Sequence, residues 1–230
     1  MQKSYYTSME ITIKVPTDIN EVTLGQYQKF LKIQKENTDD TFVAQKMIEI
    51  FCNVELKHVV SMRWTDVQDI VSSLSDLFET KAKFRQTFTL DSVQYGFIPN
   101  LDEISFGEFV DLDNYLKDWD DMDKAMSVMY RPIDIMVRGK YNIKKYEGKV
   151  NEHMKDMPLG LALGAVFFLL NLGKELSQVI LDYLDRGVLK DTQLKEDLNK
   201  SGVSTVAFTR QLKEILQNLN ISQKWEFTKF

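Results

Sequence analysis

Residues 15–27 read Val-Pro-Thr-Asp-Ile-Asn-Glu-Val-Thr-Leu-Gly-Gln-Tyr, and residues 98–109 read Ile-Pro-Asn-Leu-Asp-Glu-Ile-Ser-Phe-Gly-Glu-Phe. The two stretches share one pattern, in which an extended run passes through proline to a helix start, and the second lacks one loop residue. Both satisfy independent physical requirements of a helix start, which makes chance resemblance a poor explanation. The sequence therefore predicts a duplicated unit of strand, loop and helix.

Each copy builds the same helix-starting devices from different residues. In the first copy Thr23 and Gln26 can form a capping box, and in the second Ser105 and Glu108 can do so. Apolar residues also stand at the two positions of a hydrophobic staple in each copy, Val22 with Tyr27 and Ile104 with Phe109. We expect one apolar stripe on each helix, formed by Leu24, Tyr27, Phe30 and Leu31 and by Phe106, Phe109, Leu112 and Leu116.

A small antiparallel sheet is predicted beside the helices. Apolar and polar residues alternate over residues 9–15, which is typical of a strand with one buried face. Two β-rich runs, residues 87–90 and 93–98, flank Asp91-Ser92 and predict a hairpin. Residues 138–146 fit either a strand or a loop.

The copies continue with similar helices. A second helix is predicted over residues 40–51 and 121–130, and a third over residues 67–78, where apolar residues follow a period of 3.6. A helix that opens at Met157-Pro158 and runs to residue 172 is apolar all round, which predicts the centre of the core. Further helices are expected over residues 174–186, 189–199 and 205–219.

The predicted fold is α+β and predominantly helical, with a duplicated strand–loop–helix–helix unit, a small antiparallel sheet, a central apolar helix and a C-terminal helical extension. The expected divisions are residues 1–84 for the first unit, 85–187 for the second unit with the central helix, and 188–230 for the extension with its apolar tail. The first two could pack as one domain.

Composition excludes several classes of function. A net charge of −5 gives no general attraction to nucleic acid or anionic lipid, so we expect no sequence-specific nucleic-acid partner. The single cysteine, Cys52, allows no intrachain disulfide and favours a reducing compartment. The first residues lack the apolar region of a signal peptide, and the apolar run from Met157 is shorter than the roughly 20 residues that span a bilayer.

No motif points to catalysis, a cofactor or a metal. The two histidines, His58 and His153, are far apart and lack neighbouring ligands, and the chain has no phosphate-binding glycine loop. Gly25 and Gly107 stand in the first turns of their helices, where we expect them to admit another backbone. We therefore predict a protein that is not an enzyme.

Residues 102–123 carry nine carboxylates against one lysine. The spacing does not fit a calcium loop, because Met122 falls where an oxygen ligand is needed. The segment can be a solvated helix face, an acidic docking surface, a wall that repels DNA, or a carboxylate-only enzyme site. Candidate interface residues are Asp111, Asp113, Asp118, Asp120, Asp121 and Asp123.

The last ten residues are too apolar for a solvated tail. Trp225, Phe227 and Phe230 are further candidate interface residues, which either fold back onto the body or dock on a neighbour.

Three parts of the chain resemble uncharacterised virion or assembly proteins of tailed phages of Bacteroidota, the crAss-like group included. They are residues 95–109, Met129-Tyr130-Arg131-Pro132-Ile133, and Met157-Pro158-Leu159 with Phe167-Phe168. The resemblance covers residues 20–185. It implies a non-catalytic part of the particle: a head–tail ring, an internal cargo protein or a tail assembly factor. The implied partners are other phage structural proteins or further copies of the chain, in the virion and, during assembly, in the host cytoplasm. The alternative function is an acidic regulatory protein that binds a basic host factor.

Overall fold

Both duplicated stretches form helix starts in the computed structural model. The structure describes residues 12–185, and side chains as far as residue 172. Helix α1 (Leu24–Glu36) follows a capping box in which Thr23 and Gln26 exchange two hydrogen bonds of 2.9 and 3.2 Å. Helix α5 (Phe106–Tyr115) follows the equivalent box of Ser105 and Glu108, at 2.6 and 3.3 Å. The predicted boxes are confirmed.

A single turn of 3-10 helix precedes each box. The turns span Ile19–Glu21 and Leu101–Glu103, and the side chains of Asp18 and Asn100 accept hydrogen bonds from their first-turn N–H groups. The two copies therefore share a longer local structure than the capping box alone.

Four strands form an antiparallel meander in chain order: β1 (Thr87–Leu90), β2 (Val93–Phe97), β3 (Tyr130–Val137) and β4 (Lys140–Ile143). The predicted hairpin is confirmed, and both turn residues, Asp91 and Ser92, have positive φ (47° and 64°), as a type I′ turn requires. The ambiguous residues 138–146 contain β4. Strand β3 was not predicted, because it begins directly after a helix, contains a proline and ends in three consecutive apolar residues.

The predicted N-terminal strand is wrong for residues 12–15, which pair with no strand. Ile13 and Val15 are half-buried against the core, while Thr12 and Lys14 are exposed. The alternation in this segment therefore reflects burial of one side without a ladder of hydrogen bonds. Residues 9–11 lie outside the described residues.

The remaining helices are α2 (Asp40–Phe51), α3 (Leu56–Val59), α4 (Trp64–Phe78), α6 (Met122–Met129) and α7 (Leu159–Asp185). Helix α7 joins the two helices predicted over residues 157–172 and 174–186, because one interior glycine, Gly173, costs only about 1 kcal/mol and does not stop a helix. The α+β, predominantly helical fold is confirmed. The helices predicted over residues 189–199 and 205–219 lie outside the described residues.

One cluster of buried apolar side chains contains residues of both copies and of α7, among them Leu24, Phe30, Met126, Tyr130 and Leu159. Met122, Met126 and Met129 are fully buried and fill this core. Cys52 is buried, and burial raises the pKa of its thiol to about 11. Along the described chain, no helix combines the length and apolarity that a membrane crossing needs.

Candidate interaction surfaces

The acidic segment does not form one surface, because most of its carboxylates have partners within the chain. Asp111 accepts a hydrogen bond from the Tyr146 hydroxyl. Asp113 pairs with Lys117 at 3.0 Å, and Asp121 pairs with Lys124 at 2.6 Å. Asp118 caps the 3-10 turn Trp119–Asp121 and lies 4.0 Å from Lys35, whereas Asp120 is exposed.

Asp123 is buried, with 2% of its surface exposed, and so cannot contribute to a surface. Its Oδ1 accepts a hydrogen bond of 3.0 Å from the side chain of Gln28 in α1. The same amide nitrogen lies 2.8 and 3.2 Å from the carbonyl oxygens of Trp119 and Asp120. Asp123 and Gln28 therefore connect the second copy to the first. The role of Gln28 was not predicted from the sequence, although a polar residue beside the apolar stripe of α1 was a signal for it.

The acidic segment also offers no metal centre. Over the described residues, no group of three or more His, Cys, Asp and Glu side chains is arranged to hold an ion. His153 is exposed, and its Nδ1 lies 3.8 Å from the exposed carboxylate of Asp91.

A buried ion pair fixes the start of α5 to the sheet. Arg131 in β3 lies 2.5 Å from Glu108, and the two side chains are 12% and 8% exposed. The Arg131 guanidinium also lies over the ring of Tyr146, whose hydroxyl donates to Asp111. These four residues join α5, β3 and the segment after β4.

The pKa shifts in this cluster favour fixed protonation states. Burial raises the pKa of Glu108, but hydrogen bonding to Ser105 and the charge of Arg131 outweigh it, so the net pKa lies below its usual value. Burial, followed by the hydrogen bond to Asp111, raises the pKa of Tyr146. The carboxylate therefore stays ionised and the phenol stays protonated, as suits a structural link.

The outer part of β3 pairs with β4 but not with β2. Strand β2 pairs with β3 only at Tyr130, Arg131 and Pro132, and from Ile133 onward β3 pairs with β4 alone. Proline has no N–H to donate, and the register shifts between Ile133 and Ile135. We call residues 133–143 the hairpin arm.

The hairpin arm exposes apolar side chains at its end. Ile135, Met136 and Val137 are 54%, 45% and 60% exposed. Because neighbouring residues of a strand point to opposite faces, this run places apolar surface on both faces of the arm. This run was not predicted from the sequence, although three consecutive apolar residues beside Arg138-Gly139 were a signal.

Tyr141, which pairs with Met136 near the turn of the hairpin arm, ties the arm to the sheet. The Tyr141 hydroxyl donates to the carbonyl oxygen of Phe97 at 2.9 Å, and its ring packs over Gly96. Tyr141 therefore holds the arm against β2, while Ile135, Met136 and Val137 on the other strand of the arm stay exposed.

The predicted stripe of α5 is wrong at one residue, Phe106, which is 82% exposed, whereas Leu112 and Leu116 are buried. The equivalent residue of the first copy, Leu24, is fully buried, because residues 157–159 lie across that helix start. No such segment lies on the second copy within the described structure.

The predicted role of the two helix-start glycines holds in one copy only. A Cβ on Gly25 would lie 3.1 Å from the carbonyl oxygen of Lys155, so Gly25 does admit another backbone. A Cβ on Gly107 would meet only the Tyr146 ring, at 3.9 Å, which is ordinary contact. Trp225, Phe227 and Phe230 lie outside the described residues.

Comparison with known proteins finds no match, whether to a protein-family model, a curated protein or a solved structure.

Proposed function

We propose that the protein is a non-catalytic binding component of a larger protein assembly, and that the hairpin arm is its main contact with a partner. The resemblance to phage proteins supplies the setting, a tailed-phage particle, with another structural protein of the particle as the partner.

The exposed run Ile135-Met136-Val137 carries this proposal. Single exposed apolar residues are common on protein surfaces, but contiguous apolar patches are rare on monomers and usually mark interaction sites. Here three such residues are adjacent near the turn of the β3–β4 hairpin, beyond the residues of β3 that pair with β2. A partner that covers both faces of the arm would remove them from water.

The electrostatics of the acidic segment favour assembly over the alternative, an acidic protein that binds a basic host factor. Asp111, Asp113, Asp121 and Asp123 have hydrogen-bond partners within the chain. Charges that are already paired contribute little to attracting a basic partner.

The proposal is tested by the triple variant I135T/M136T/V137T. Threonine keeps a high strand propensity but exposes a hydroxyl, so we expect the hairpin to fold and to lose its affinity for an apolar partner. Particles would be purified from cells infected with phage that encodes either chain, and the protein would be quantified by mass spectrometry. We expect a constant copy number for the wild type and strong depletion of the variant.

The matched control is V60T, which replaces an apolar residue of similar exposure outside the sheet. Its content in particles should equal that of the wild type. Absence of the wild-type chain from particles, or equal incorporation of the triple variant, would contradict the proposal.

A further inference from the structure

The first helix start is covered by a segment of the chain itself. The N–H of Leu24 donates to the carbonyl oxygen of Met157, and the N–H of Leu159 donates to that of Val22, both at 2.8 Å. Thr23 and Pro158 thereby form an isolated antiparallel β-bridge. Met157 and Leu159, the residues before and after Pro158, are fully buried.

The second helix start offers the same groups without a cover. The equivalents of Val22 and Leu24 are Ile104 and Phe106, and no hydrogen bond within the described residues uses the Ile104 carbonyl or the Phe106 N–H. Phe106 itself is 82% exposed. Gly25 admits the backbone of Lys155, just before the covering segment, and its equivalent Gly107 meets no backbone: a Cβ there would contact only the Tyr146 ring, at 3.9 Å.

We infer that the second helix start is a docking site for the C-terminal segment of the same chain, residues 224–228, which binds there as residues 157–159 bind to the first. An extended segment places residues i and i+2 on one side. Met157 and Leu159, in the segment that covers the first helix start, have this spacing, and Trp225 and Phe227 have it too. The aromatic pair would cover Phe106, and the segment would supply a carbonyl acceptor to the Phe106 N–H and an N–H donor to the Ile104 carbonyl.

Charge also fits this occupant. Lys224 and Lys229 flank the aromatic pair. The exposed Asp102 and Glu103 stand in the turn that leads into the helix start. Opposite charges at the rim of an apolar contact favour one orientation of the bound segment.

The chain is long enough for this contact. Residues 186–223, which connect the described structure to the segment, span up to about 130 Å when extended, several times the radius of gyration of about 17 Å for a domain of this length. A tethered segment has an effective concentration of about 1 mM, so binding within one molecule is favoured over binding to a second copy in dilute solution.

The test places the photo-crosslinking amino acid p-benzoylphenylalanine at position 106 of the full-length chain. After irradiation, the crosslinked peptides are identified by tryptic digestion and mass spectrometry. We expect crosslinks to the tryptic peptide of residues 225–229, in a species of monomer mass, with a yield that does not change with protein concentration. The substitution W225S/F227S should lower this yield to background, and circular dichroism should show an unchanged helix content.

Background is set by the same amino acid at position 64, because Trp64 is an exposed aromatic residue at the first position of α4. Crosslinks from position 106 to another segment, crosslinks found only in dimers, a yield equal to that at position 64, or a yield unaffected by W225S/F227S would each overturn the inference. None of these outcomes depends on the hairpin arm, so the result is separate from the test of the proposed function.

Discussion

At the scale of single residues, Gly96 shows how closely the hairpin arm packs on the sheet. A Cβ at this position would lie 2.8 Å from Cδ2 of Tyr141 and 3.1 Å from Cγ1 of Ile133. We therefore expect G96A to lower the free energy of unfolding by about 1 to 3 kcal/mol, because overpacking forces side chains from their preferred rotamers. Urea unfolding measures the change. In the background of Y141A the same substitution should cost much less, and an equal cost would show that Tyr141 is not the obstacle.

Arg131 is the second residue that tests local packing. Removing it leaves the Glu108 carboxylate buried without its cation, so R131A should destabilise the protein by about 3 to 5 kcal/mol. The control is K149A, which breaks an exposed pair with Glu147 and should cost less than about 1 kcal/mol. Similar costs for the two variants in urea unfolding would contradict the role of the buried pair.

The pH dependence of stability follows from Glu108. Its folded pKa lies below the ordinary value of 4.5, so its contribution is complete above that value and is lost as the pH falls through the folded pKa. We expect E108Q to be less stable than the wild type at pH 7, and the difference to shrink on acidification below pH 4.5. Unfolding free energies of both chains across this range give the measurement, and a difference that grows in acid would have the wrong sign.

At the scale of secondary-structure elements, the β1–β2 turn carries strain that can be relieved. Asp91 and Ser92 both have positive φ, which costs a residue with a side chain about 1 to 2 kcal/mol. Asn-Gly is the preferred pair for this turn, so D91N/S92G should raise the thermal midpoint. The control substitution V93T lies just beyond the turn and should leave the midpoint near that of the wild type. A lower midpoint for D91N/S92G would mean that the turn is not type I′.

The elements that could be predicted from the sequence are those that depend on nearby residues. The capping boxes of Thr23 and Ser105 and the β1–β2 turn need only residues within a few positions, and each forms as expected. Strand β3 pairs with β2, which lies more than 30 residues earlier in the chain, and was not predicted. The alternation in residues 12–15 predicted a strand wrongly, because a period of two reports burial of one side and not pairing.

At the scale of the whole molecule, Gln28 joins the two copies through a buried amide. Removing it leaves the carboxylate of Asp123 and two carbonyl groups without this donor. We expect Q28A to cost about 1 to 3 kcal/mol, because unpaired buried polar groups keep their desolvation penalty. Q68A, on the exposed side of α4, is the control and should be close to neutral. Equal unfolding free energies for Q28A and the wild type would show that the link does not stabilise the fold.

The candidate surfaces could be predicted only in part, since exposure depends on what covers each residue. The acidic run was visible in the sequence, but the partners of Asp111 and Asp123 come from Tyr146 and Gln28, far along the chain. Phe106 matches Leu24 in the repeat, yet within the described residues only Leu24 is covered, by residues 157–159. Candidate surface residues such as Phe106 were therefore indicated by differences between the two copies and not by their shared pattern.

The central claim is that the hairpin arm contacts another protein in an assembled phage particle. Lys140 begins β4 and is exposed, so its amine can report this contact, and the exposed Lys57 on α3 is the reference. The decisive measurement is amine-specific crosslinking of purified particles, followed by mass spectrometry. We predict crosslinks from Lys140 to a different particle protein at a higher yield than from Lys57. Crosslinks from Lys140 that remain within the chain, or particles that lack the chain, would contradict the account.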